Sequence, residues 1–160
     1  GNIYDIHSVG LSEESATSNF VAREILMQKY GITPHFKHRD EGETCDARII
    51  IGDQALKVAA AKDEDETHID IGQAWYEMTG LPIVYAVCVA RIPELIEDFT
   101  EIFSEIKERN LDLLPSLLEQ KGLEMYYEYI RGLDYDLTQD HKKALSLLES
   151  WAKMENEIAL

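Results

Sequence analysis

Apolar residues follow two regimes along this chain, short runs before Arg91 and long stretches at spacings of three and four after it. In the first half, Ile6 to Ser12 reads as a strand, Ser18 to Tyr30 as a helix stopped by Gly31, and Thr33 to Lys37 as a short extended piece beyond a turn. This is a βαβ pattern. Ala47 to Ile51 follows as a buried strand, and Asp53 is placed to N-cap a helix running through Ala61. Lys62 to Thr67 reads as a solvated acidic loop, and His68 to Ile71 as a brief extended segment before a short helix around Trp75.

Gly80 ends that helix, and the near-continuous apolar run from Leu81 to Ala90 closes at Arg91. A run apolar on both faces suits a strand buried in a parallel or mixed sheet flanked by helices. Beyond it the pattern is helical. Ile92, Leu95, Ile96, Phe99, Ile102, Phe103 and Ile106 form a wide apolar face on a helix entered through Pro93 and expected to reach about Arg109. Asp112 is placed to cap a shorter helix stopped by Gly122; another carries Tyr126, Tyr127 and Ile130, and Thr138 opens the last, which frays near Ile158. The predicted fold class is α/β, arranged as a lobe over 1–84, an inter-lobe strand over 85–91 and a helical section over 92–160. The helical section brings no strands of its own, so its apolar faces call for a sheet from elsewhere.

Charge narrows the partners. The 160 residues carry a net charge of −16, which argues against nucleic acid and anionic membrane surfaces. A small anion is still compatible, because long-range repulsion is screened over about 8 Å at physiological salt while a helix N-terminus acts at contact. The run from Leu81 to Ala90 is too short to span a bilayer and residues 1–5 lack signal-peptide character, so a cytoplasmic location is the expectation. Cys45 and Cys88 form no disulfide framework, and Cys88, inside the apolar run, is expected to be a buried thiol.

Chemistry is concentrated at two turns. Ser15, Thr17 and Ser18, just where a strand gives way to a helix, can present hydroxyls and free backbone N–H groups to a carboxylate; the alternative is plain helix capping. Gly52 and Asp53 follow a strand, where ligands bind in open α/β sheets, and Asp53 again has a capping alternative. His35 and His38 have no partner at a recognised metal spacing, so no metal site and no cofactor is expected. No phosphate loop, dinucleotide fingerprint or nucleophile elbow is present. Trp75 and Tyr76 read more naturally as core than as pocket walls.

Taken in order, Ser15-Ala16-Thr17-Ser18, Asp46 through Leu56 and Asp70 through Val87 resemble the chorismate dehydratase family of the futalosine route to menaquinone. The resemblance implies a fold like that of type II periplasmic binding proteins, with two α/β lobes and a ligand cleft between them; this chain would supply one lobe with a mixed sheet and a helical section belonging to the other, incomplete lobe. It also implies dehydration of chorismate to 3-enolpyruvylbenzoate, a lyase reaction, with Ser15, Thr17 and Ser18 as carboxylate donors and Gly52 and Asp53 lining the cleft. Members of that family begin with a substantial segment bearing an asparagine turn implicated in proton abstraction, and nothing before Gly1 corresponds to it. The catalytic base is therefore unassigned, and a complementary N-terminal fragment or a homo-oligomer is the expected means of completing the second lobe. The competing function is a non-catalytic binding module for small carboxylates; a weaker third is an interaction protein that associates through bare helical faces.

Overall fold

A computed structural model describes residues 2–38, 44–61 and 66–158, with the side chains of the last helix described as far as Met154. Residues 62–65 of the expected acidic loop lie outside the described residues. The chain divides into two compact units, one formed by 1–85 together with 139–160 and the other by 86–138.

The first unit is built on a three-stranded parallel sheet, β1 (Ser8–Gly10), β2 (His35–Lys37) and β3 (Ala47–Arg48), in the order β2-β1-β3. Ser8 pairs with His35, and Val9 stands against Phe36 on one side and Ala47 on the other. The strands are shorter than their apolar runs, although Leu11 and Ile49 each donate one further ladder bond, to Lys37 and Gly10. The expectation of a mixed sheet is corrected: all pairings among the described residues are parallel. One side chain fastens the opposite end. The Asp46 carboxylate accepts the His7 and Ser8 backbone N–H groups at 3.0 and 2.9 Å and the Ser8 hydroxyl at 2.9 Å, while Asp46 N–H returns a bond to that hydroxyl.

Helix α1 (Ala16–Gln28) crosses from β1 to β2, starting two residues earlier than its apolar periodicity suggests because Ser15 is the N-cap. Helix α2 (Gly52–Ala61) follows β3, and α3 (Ile71–Thr79) is capped by the Asp70 carboxylate, which accepts Gln73 N–H at 2.8 Å. Gly80 ends α3 at φ +69°, a left-handed conformation that costs glycine no Cβ clash. The core lies where α1 and α3 meet α6 (Gln139–Ile158): Val21, Ile25, Ala74, Trp75, Val84 and Ala144 are buried together. Trp75 is fully buried and meets Trp151 edge-on at 5.2 Å between ring centres, while Tyr76 is exposed. The Lys29–Glu77 ion pair joins α1 to α3 beside this core.

The apolar run of 81–90 corrects a second expectation. It forms no strand, only Val84 is buried, and Tyr85, Val87, Cys88 and Val89 are exposed, so Cys88 is an exposed thiol. High β-propensity makes a strand only where a neighbouring strand accepts its hydrogen bonds, and no described strand pairs with it. In the second unit α4 (Ile96–Lys121) is one 26-residue helix, not two. It runs through Asp112 and Pro115 and ends at Gly122 as expected, followed by a 3-10 turn (Glu124–Tyr126) and α5 (Tyr127–Gly132). Leu114, Leu118 and Tyr126 are buried there, whereas the face from Ile92 to Ile106 is exposed.

Candidate functional site

Parallel pairing of β1 with β3 makes both strands end at one edge of the sheet, Gly10 standing beside Arg48. The chain leaves β1 toward β2 on one side, and β3 lies on the other, so the gap between β1 and β3 is a point where the strand order reverses. Ligands of open α/β sheets bind in the crevice beyond the carboxyl ends of the strands at such a point. The turn carrying Ser15 follows one of these two strand ends, and Gly52 and Asp53 follow the other. All five candidate residues therefore belong to one sheet edge.

At the first turn the hydroxyls divide their work. The Ser15 hydroxyl accepts Ser18 N–H at 3.0 Å and donates to the Ser18 hydroxyl at 2.9 Å, so Ser15 acts as a cap and fixes Ser18. Ser18 is buried, and its hydroxyl oxygen accepts that bond. Thr17 is exposed, and its N–H and that of Ala16 fall in the first helical turn, which has no intrahelical acceptors. The usable donors are thus the Ala16 and Thr17 N–H groups and the Thr17 and Ser18 hydroxyls. Glu13 and Glu14 beside them are exposed.

Asn19 holds the turn in place, and the sequence reading passed over it. Its side-chain oxygen accepts Ser12 N–H at 2.9 Å while its amide donates to Ser12 C=O at 2.7 Å, tying the strand end to α1. The available signal was compositional: Asn is a poor helix former, so one in the first turn needs a local hydrogen-bonding reason.

At the second turn Gly52 has φ +61°. Its conformation, in addition to any close ligand approach, calls for glycine. Asp53 is not the N-cap it was expected to be, since α2 begins at Gly52 and Asp53 lies exposed inside the first turn, where the helix dipole favours a carboxylate. Arg48 is the second residue missed by the sequence reading. It ends β3 at this edge, is exposed, and passes close enough to Gly10 that a Cβ there would lie 3.4 Å from Arg48 Cγ.

The sequence matches the family described as Menaquinone biosynthesis over residues 2–154. The chain belongs to that family. Membership in the menaquinone biosynthesis family agrees with the resemblance to chorismate dehydratases and gives the coarse function, an enzyme of menaquinone formation. No helix among the described residues is long and apolar enough to cross a membrane. No three His, Cys, Asp or Glu side chains converge as a metal site among those residues. A hollow of about 530 Å³ in the second unit is lined by Glu105, Glu108, Arg109, Asp112 and Leu113, all on α4, and a single helix encloses nothing.

Proposed function

We propose that this member of the menaquinone biosynthesis family binds chorismate at the carboxyl edge of β1 and β3 and takes part in its dehydration to 3-enolpyruvylbenzoate. The observation that carries the reading is the α1 N-terminus at a strand-order reversal, with donors suited to a carboxylate, in a chain of this family. In the reaction a base removes a ring C–H proton, the ring C–O bond to the hydroxyl breaks, and the hydroxyl leaves as water; the electron pair of the C–H bond completes an aromatic ring. Ring aromatisation supplies the driving force, so the protein's task is to hold a dianion in place and handle one proton.

In this reading one substrate carboxylate takes the Thr17 and Ser18 hydroxyls and the free N–H groups of α1. Arg48 offers a charge-assisted bond to the other, offsetting the repulsion from Asp53 and the acidic surface. Ser15 and Asn19 keep the donors aimed, and Gly52 and Asp53 line the opposite wall. The base is left unassigned. The lobe architecture of a type II periplasmic binding protein belongs to the same proposal.

The test combines calorimetric titration of the purified chain with chorismate and chromatographic detection of 3-enolpyruvylbenzoate. Binding weakened at least tenfold by Arg48→Gln, together with product formation, supports the reading. Binding without product turns the assignment toward a non-catalytic carboxylate binder. No binding at millimolar chorismate, from a chain whose circular dichroism shows it folded, overturns the site.

A further inference from the structure

Gly72 lies in the first turn of α3 with no conformational need to be glycine. Among the described residues the glycines with positive φ are Gly31, Gly52, Gly80 and Gly122, and Gly72 is not one of them. Inside a helix, glycine is about fivefold less favourable than alanine. The surroundings of the position supply the reason for it. A Cβ on Gly72 would lie 2.6 Å from the Tyr85 hydroxyl oxygen, 3.2 Å from Asp70 Oδ1 and 3.4 Å from Ile83 Cγ2. The first of these separations is one that real Cβ atoms do not adopt. The missing methyl group is therefore a notch, and the tip of Tyr85 fills it.

The chain beyond Gly80 doubles back along α3 to reach that notch. Leu81 N–H donates to Thr79 Oγ1 at 3.1 Å, Val84 is buried in the core with Trp75, and Leu81 and Ile83 pack against the same core. Five extended residues reach about 16 Å, enough to retrace the ~13 Å length of the nine-residue helix. Tyr85 is then the last residue of the first unit before the chain passes into 86–138. It stays 54% exposed, so burial of the ring is not what holds it. We propose that Gly72 and Tyr85 form a strap, in which the hydroxyl end of Tyr85, seated on the first turn of α3, fixes the point where the chain leaves the first unit. Asp70 makes the fit exclusive. Its carboxylate accepts Gln73 N–H at 2.8 Å as the helix cap, so it cannot swing away from an added Cβ without giving up that bond. Tyr85 is the group that must yield.

Hydrogen exchange read by mass spectrometry, with urea unfolding of the same full-length variants, tests the strap. Gly72→Ala should speed exchange of the 83–87 amides and leave exchange in α1 as in the parent chain. It should bring no gain in the folding equilibrium constant, although alanine is the better helix former. Tyr85→Ala empties the notch and should speed the same amides. In that background Gly72→Ala should raise the folding equilibrium constant by about fivefold, the full helical preference of alanine, and should not speed exchange further. Exchange of 83–87 unmoved by Gly72→Ala overturns the proposal. So does an equal effect of Gly72→Ala on stability with Tyr85 present and absent, which would assign the glycine to Asp70 or Ile83 instead.

Discussion

Ser15 has a single hydroxyl proton and directs it to Ser18, so the residue that looks most like a ligand donor in the sequence is the one that organises the others. Capping and binding make different demands here. Ser15→Ala removes the cap and should destabilise the first unit by ~1 kcal/mol, measured by urea unfolding. Ser15→Asp should cap as well as serine and keep the unfolding midpoint, yet it sets a carboxylate against the anion and should weaken chorismate binding at least tenfold by calorimetry. If Ser15→Asp binds chorismate like the parent chain, the anion does not sit at this turn. The hydroxyl cluster was legible in the sequence because Ser and Thr before a helix announce a free N-terminus. Arg48 and Asn19 were not, because their relevance depends on which strands are neighbours and which carbonyl an amide can reach, both settled only by the fold.

At the scale of elements, the joints that fix the sheet edge are polar and respond to pH. Asp46 is held below its ordinary carboxylate range first by the Ser8 hydroxyl and then by the His7 and Ser8 N–H groups, and Glu77 is lowered by Lys29 and then by Gln73. A carboxylate with a depressed folded pKa contributes stability above its unfolded value and loses it as pH falls through the folded one. The Asp46 contribution should therefore be complete above its ordinary value of 3.8 and disappear below it. Asp46→Asn should be less stable than the parent at pH 6, with the difference shrinking as urea midpoints are followed below that value; a difference independent of pH would show that the charge is not what fastens β3 to β1.

Secondary structure was legible wherever one local signal decided it: the Asp70 cap, the Gly80 and Gly122 stops and the opening of the last helix at Thr138 all follow from residues within a turn of the boundary. Two elements were not. Residues 81–90 carry the propensity of a strand without a paired neighbour, and Asp112 and Pro115 mimic a helix start inside a helix that Leu114 and Leu118 anchor on both sides of the proline. Pro115 forfeits the hydrogen bond to the Leu111 carbonyl, and an interior proline costs ~3 kcal/mol relative to alanine. Pro115→Ala should stabilise the second unit by ~1–3 kcal/mol in chemical denaturation followed by circular dichroism. A loss of stability instead would mean that the proline ring's packing near Leu118 and Tyr127 outweighs the missing bond.

Across the whole molecule, charge is the term that no single contact balances. The sequence holds 31 acidic residues against 15 Lys and Arg. Ion pairs such as Lys29–Glu77, Lys107–Asp136, Lys143–Asp140 and Lys153–Glu149 each involve a solvent-exposed partner, and pairs of that kind contribute little, while 15 cationic side chains cannot match 31 acidic ones. Most carboxylates are therefore left to repel one another through water. Raising ionic strength weakens both effects, shortening the screening length from about 30 Å at 0.01 M to about 8 Å at 0.15 M. Repulsion spreads over many separated carboxylates and so depends on the longer distances that screening removes first, whereas a paired Lys and Glu in contact lose less. Melting temperature at pH 7 should consequently rise by a few degrees as NaCl goes from ~0.01 to ~0.15 M, approaching a plateau once the screening length falls below typical carboxylate separations. A melting temperature that falls with salt would assign the stability to the ion pairs and reverse the order of the two terms.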